Sequence, residues 1–111
     1  MATRRVKEAT LSLLRERARQ SQTITYTELA DHLGFNPRGL SDLLDEIAYD
    51  EWAQARCVVT ALVVRADTGL PGPGFFTTAW QLGVEMYNEE ALWQEQNARA
   101  MEYLRSRASL E

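Results

Sequence analysis

An α+β fold follows from three features of this sequence. Apolar residues recur at helical spacing through the first half, the pattern changes at Cys57 to a β-branched run, and a glycine- and proline-rich cluster then interrupts that run. CVVTALVVR, from Cys57 to Arg65, reads as a strand buried on much of both faces, because nearly every position is apolar or β-branched. In VVRADTGLPGPGFF, three glycines and two prolines fall between Gly69 and Gly74, and Phe75-Phe76-Thr77-Thr78-Ala79-Trp80 has the bulk of a returning strand.

The elements before that point are specified locally. From Thr3 to about Arg19, Val6, Ala9, Leu13 and Leu14, backed by Ala18, share one side of a helix whose other side carries most of the arginines. Ser21-Gln22-Thr23 ends it. Ile24 forms a short strand or a staple, and Thr25 with Glu28 makes a T-x-x-E capping box at the next helix start. Leu29, Ala30 and Leu33 give that helix a buried stripe, and Gly34 supplies its C-terminal cap. Asn36 caps a third helix at once, with Pro37 in its first turn. Leu40, Leu43, Leu44 and Ile47 then follow at i, i+3, i+4, i+7.

After Gly83, Asn88 caps a last helix with Glu89 and Glu90 in its first turn, where the helix dipole favours acids. Leu92, Trp93, Ala100, Met101 and Leu104 form its apolar side. Three helices followed by a hairpin is the arrangement of a small winged helix-turn-helix domain, with a two- or three-stranded hairpin wing and an added C-terminal helix. Residues 1–84 are expected to form the winged-helix domain, and 85–109 a helix packing on it or on a partner. Residues 110–111 read as a tag remnant.

Composition is that of an ordinary globular chain, 45% hydrophobic and 25% charged over 111 residues. No apolar stretch reaches the roughly 20 residues of a membrane span, and the N-terminus lacks a signal-peptide core, so the cytoplasm is the expected compartment. The single cysteine precludes an intrachain disulfide. The net charge of −4 is uneven: residues 1–20 hold six basic and two acidic side chains, the remainder six and fourteen. That balance permits a localised basic face rather than a basic domain.

Catalytic and metal chemistry find little support. One histidine and one cysteine cannot make a zinc cluster, and neither phosphate-loop fingerprint is present in the glycine-rich segment, whose prolines also remove backbone donors. His32 reads as a turn residue at the end of the second helix, and Cys57 as a small core residue. Asp42, Asp45, Glu46, Asp50 and Glu51 read as the solvated face of the third helix. No catalytic residue, metal or cofactor is expected. Asp67-Thr68-Gly69 suits a turn with a positive-φ glycine, and Pro71 and Pro73 would stiffen a wing tip.

TYTELA, Thr25 to Ala30, resembles the stretch that opens the helix-turn-helix of the DNA alkyltransferases and alkyltransferase-like proteins, and VVRADTGLPGPGFF resembles the segment after their P-C-H-R-V motif. The resemblance covers residues 24–76, about half of the chain. It implies a winged helix that holds DNA in the minor groove, inserts an arginine and flips a damaged guanine into a pocket. On that alignment Tyr26 matches the family's phosphate-contacting tyrosine and Arg38 falls near its arginine finger. Thr60 stands where the nucleophilic cysteine would be, and Ala61-Leu62 replace His-Arg, so alkyl transfer is not expected. The chain is also similar to small bacterial winged-helix-like proteins carrying L-V-V-x-x-x-T-G-L-P-G-x-G-F-F.

The expected function is therefore non-enzymatic binding of double-stranded DNA. Asn36, Arg38, Gly39 and Ser41 would approach a groove, with Tyr26, Arg65, Arg4, Arg5 and Lys7 as further candidate contacts. The alternative is a protein-interaction or homodimerisation module that uses Trp93, Met101 and Tyr103 of the C-terminal helix.

Overall fold

A computed structural model describes residues 3–108. The chain runs α1 (Arg4–Arg19), β1 (Ile24–Thr25), α2 (Tyr26–Leu33), a 3-10 turn (Pro37–Gly39), α3 (Leu40–Ala55), a second 3-10 segment (Val59–Leu62), β2 (Val63–Val64), α4 (Pro73–Gln81) and α5 (Glu89–Ala108). Local signals place the helix ends. The Thr25 hydroxyl accepts from the Glu28 N–H while the Glu28 carboxylate accepts from the Thr25 N–H, both at 3.1 Å. Gly34 closes α2 at φ +72°, and Asn88 accepts from the Ala91 N–H at the start of α5.

The winged helix with a hairpin wing is not what this chain forms. The molecule is mostly helical, and its only sheet among the described residues is the two-residue parallel pair β1–β2, with Ile24 opposite Val63 and Thr25 opposite Val64. Within the expected strand at 57–65, Val59–Leu62 is the 3-10 segment and Val63–Val64 is the part that is extended, while the expected returning strand is α4. Phe75, Phe76, Thr78 and Ala79 are buried while Thr77 and Trp80 are exposed, a spacing that suits one face of a helix and not the alternation of a strand. Pro73 sits in the first turn of α4, where its missing N–H costs nothing.

The expected wing tip is a folded-back turn. The Arg65 N–H donates to Leu70 O and the Gly69 N–H to Arg65 O, with Gly69 at φ +71°. Pro71 is buried, and the Gly72 N–H donates to the Tyr26 hydroxyl at 2.9 Å, so this turn is tied to α2.

The C-terminal helix packs on the rest of the chain, chiefly on α1 and on the second 3-10 segment. Leu92, Ala100, Met101 and Leu104 enter the same core as Leu11, Leu14 and Ala18 of α1. Residues 109–111, including the expected tag remnant, lie outside the described residues. No helix among the described residues is long and apolar enough to cross a membrane.

Candidate functional site

Where the start of α3 meets α2 and α4 there is a recess of about 310 Å³. Its apolar walls include Pro37, Leu44, Pro73 and Phe75, and its polar groups are those of Tyr26, Arg38, Ser41, Asp45, Thr60 and Thr78. Each reaches the recess through local structure. The Asn36 side chain accepts from the Arg38 N–H at 3.0 Å, closing the 3-10 turn that carries Arg38 to the rim. Ser41 and Asp45, four residues apart on α3, share a face. Thr78, on α4, donates to the Asp45 carboxylate at 2.9 Å.

Two hydroxyls complete the site. Thr60, only 6% exposed, is delivered by the 3-10 segment, and its hydroxyl has no hydrogen-bond partner among the described residues. The Tyr26 hydroxyl accepts from Gly72 and donates to none of the described residues. Burial pushes the Tyr26 phenol above its ordinary pKa, against the opposing pull of the Gly72 N–H and of nearby Arg65, so it keeps its proton at neutral pH as a donor.

The nine candidate DNA contacts separate into two groups. Tyr26, Asn36, Arg38, Gly39 and Ser41 gather at or beside the recess. Arg65 is close enough to act on Tyr26, but its guanidinium pairs with Asp67 at 2.9 Å. Arg4, Arg5 and Lys7 lie at the other end. Arg4 and Lys7 line a separate groove with Ile47 and Asp50, about 9–14 Å further along α3 than Ser41. Lys7 is neutralised there by Asp50 at 2.8 Å and Glu46 at 3.5 Å. Arg38 is exposed, and its guanidinium meets no hydrogen-bond or ion-pair partner among the described residues.

Of the five α3 carboxylates, Asp42 and Asp50 are exposed as expected and the other three are less so. Asp45, Glu46 and Glu51 are half-buried; Asp45 binds Thr78, and Glu51 accepts from the Tyr103 hydroxyl at 3.0 Å. Asp45, Thr60 and Thr78 are the polar site residues that sequence reasoning did not assign to binding. The local signal for Asp45 and Thr78 was Gly72-Pro73, a helix start that puts Thr78 across from α3.

Cys57 lies 1% exposed, away from the recess lining. Burial pushes its thiol up to about 11 from an ordinary 9.0, opposed by Arg99. Iodoacetamide at pH 8 is expected to leave the folded protein unmodified and to alkylate Cys57 in denaturant, read by mass spectrometry. Since the unfolded chain releases this proton first, stability contributed by Cys57 is full below pH 9 and is lost as pH rises toward 11. Rapid labelling of native protein would contradict this.

No group of three or more His, Cys, Asp or Glu among the described residues is placed to hold a metal ion. Comparison with family models, curated proteins and solved structures yields no match.

Proposed function

We propose that this protein is a non-enzymatic DNA-binding protein that meets the duplex with the start of α3. The observation that carries this reading is the convergence of Tyr26, Asn36, Arg38, Gly39 and Ser41 on one surface, with the Arg38 guanidinium unpaired and directed by no acid. Because Lys7 and Arg65 spend their charge on carboxylates, few phosphates are neutralised and affinity is low. Each lost phosphate contact reduces the slope of log K against log salt by about 0.9.

The test is a salt-titrated anisotropy measurement with labelled duplex DNA. Arg38→Ala is expected to weaken binding about tenfold at roughly 50 mM salt and to lower the salt slope by about one. No measurable binding by the parent at that salt, or an unchanged Arg38→Ala isotherm, would remove the DNA reading.

A protein-interaction function is favoured by one specific observation. Trp93, Met101 and Tyr103, the expected interface, are engaged within the molecule, whereas Trp80, Met86 and Tyr87 are exposed at 69%, 41% and 90% around the α4–α5 connection. Glu85, Glu89 and Glu90 lie in the same stretch of chain and are exposed, which disfavours phosphates at this end and suits a basic protein partner.

A further inference from the structure

We infer that the exposed surface around Trp80, Met86 and Tyr87 docks the start of α1 of a second copy of this chain, with Arg4 and Arg5 as the cations it receives. The inference rests on the protein-interaction reading of this end and names its partner. The chain reversal after α4 shapes the surface. The Gly83 N–H, at φ +94°, donates to Trp80 O while the Val84 N–H donates to Ala79 O, so the helix ends in a fixed glycine cap. Val84 packs against the core, and Trp80, Glu85, Met86 and Tyr87 line one open cleft. The Tyr87 hydroxyl donates to the Glu85 carboxylate at 2.7 Å, which fixes an acid in the cleft that also holds the Trp80 ring. Aromatic faces attract a cation and carboxylates pair with planar N–H groups, so a guanidinium suits this surface. Glu89 and Glu90, exposed in the first turn of α5, add charge, and neither carboxylate has a hydrogen-bond or ion-pair partner among the described residues.

The opposite imbalance stands at the start of α1. Arg4 and Arg5 occupy its first turn, where the helix dipole disfavours cations, and no acid shares that turn. Both are exposed, and neither guanidinium meets a hydrogen-bond or ion-pair partner among the described residues. Residues 1–20 hold six basic and two acidic side chains, whereas residues 85–95 hold four acidic and none basic. One chain therefore carries both halves of a charge-complementary contact. Among the described residues none from α1 lines the Trp80 cleft, so the contact is not made within one copy. The two patches differ, which makes the contact head-to-tail: copies close into a ring or add in a row.

Sedimentation equilibrium of the full chain reads this contact. At about 50 mM salt the average mass is expected to rise with concentration below about 1 mM, and to fall back toward the monomer at about 0.5 M salt. Arg4→Glu with Arg5→Glu, and separately Glu85→Lys with Glu89→Lys, are each expected to weaken association at least about tenfold, because each sets like charges together. Mixing the two double variants is expected to restore it, since every contact between unlike copies is again complementary. Trp80→Ala, at an exposed position and without change of charge, is expected to weaken association about tenfold with the melting temperature preserved. Arg38→Ala is expected to leave association unchanged, which separates this contact from the DNA surface. A parent that is monomeric at about 1 mM, association indifferent to Trp80→Ala, or folded double variants that fail to complement each other overturns the inference. With a monomeric parent, a peptide holding two adjacent arginines that shifts the Trp80 indole resonance returns the surface to a different basic protein. Without that shift the protein-interaction reading falls as well.

Discussion

Leu104→Ala is expected to lower the unfolding free energy by about 2–5 kcal/mol, a large share of the roughly 5–15 kcal/mol typical of a domain. Leu104 is fully buried on α5, the helix whose most extensive contacts are with α1. It is also the largest fully buried side chain on that helix, because the rest of the apolar face is Leu92 and Met101 near the edge of the core and the small Ala100. The surrounding helices can close only part of the space, so the loss combines transfer and cavity costs. In thermal denaturation followed by circular dichroism the midpoint should fall on the order of 10–20 °C. Leu104→Met keeps the volume and should cost less than about 1.5 kcal/mol. If Leu104→Ala unfolds with the parent, α5 is not part of the cooperative core and its docking on α1 is incidental.

That dependence on α5 also marks where the sequence stopped being legible. The helices of the first half are announced by residues that bond to their own neighbouring backbone: Thr25 and Glu28, Gly34, Asn36, and later Asn88. Such signals act over three or four positions and survive without knowledge of tertiary structure. The run from Cys57 to Val64 has no equivalent. A buried, largely apolar run of eight residues satisfies a buried strand and a buried 3-10 turn equally well, and what decides between them is where the backbone hydrogen bonds go. Here the Val58 N–H donates to Gln96 Oε1 at 2.8 Å and Ala61 O accepts from the Trp93 indole at 2.8 Å, so α5 supplies partners that a neighbouring strand would otherwise have provided. Those partners come 38 and 32 residues later. The site divides the same way. Tyr26, Arg38 and Ser41 stand on elements fixed locally, whereas Asp45 becomes half-buried and Thr60 faces a recess only once α4 is a helix lying across α3.

Trp93→Ala is expected to cost about 3–5 kcal/mol and to disturb the recess as well as the stability. The indole is half-buried against the core, and its N–H is the donor for Ala61 O, the carbonyl of the residue that follows Thr60. Gln96 holds Val58 on the other side, so the two side chains of α5 pin the 3-10 segment at both ends of the stretch that delivers Thr60. Trp93→Phe separates the two contributions: it keeps most of the apolar volume and removes the donor, leaving a buried carbonyl short of a partner at about 1–3 kcal/mol. In that variant the amide resonances of residues 58–62 should shift while those of α2 stay in place, and any ligand that uses the Thr60 hydroxyl should bind less tightly. Unchanged resonances in Trp93→Phe would mean that packing alone positions the 3-10 segment. In that case the Trp93–Ala61 hydrogen bond has no part in presenting Thr60 to the recess, and the effect of Trp93→Ala reduces to the loss of buried area.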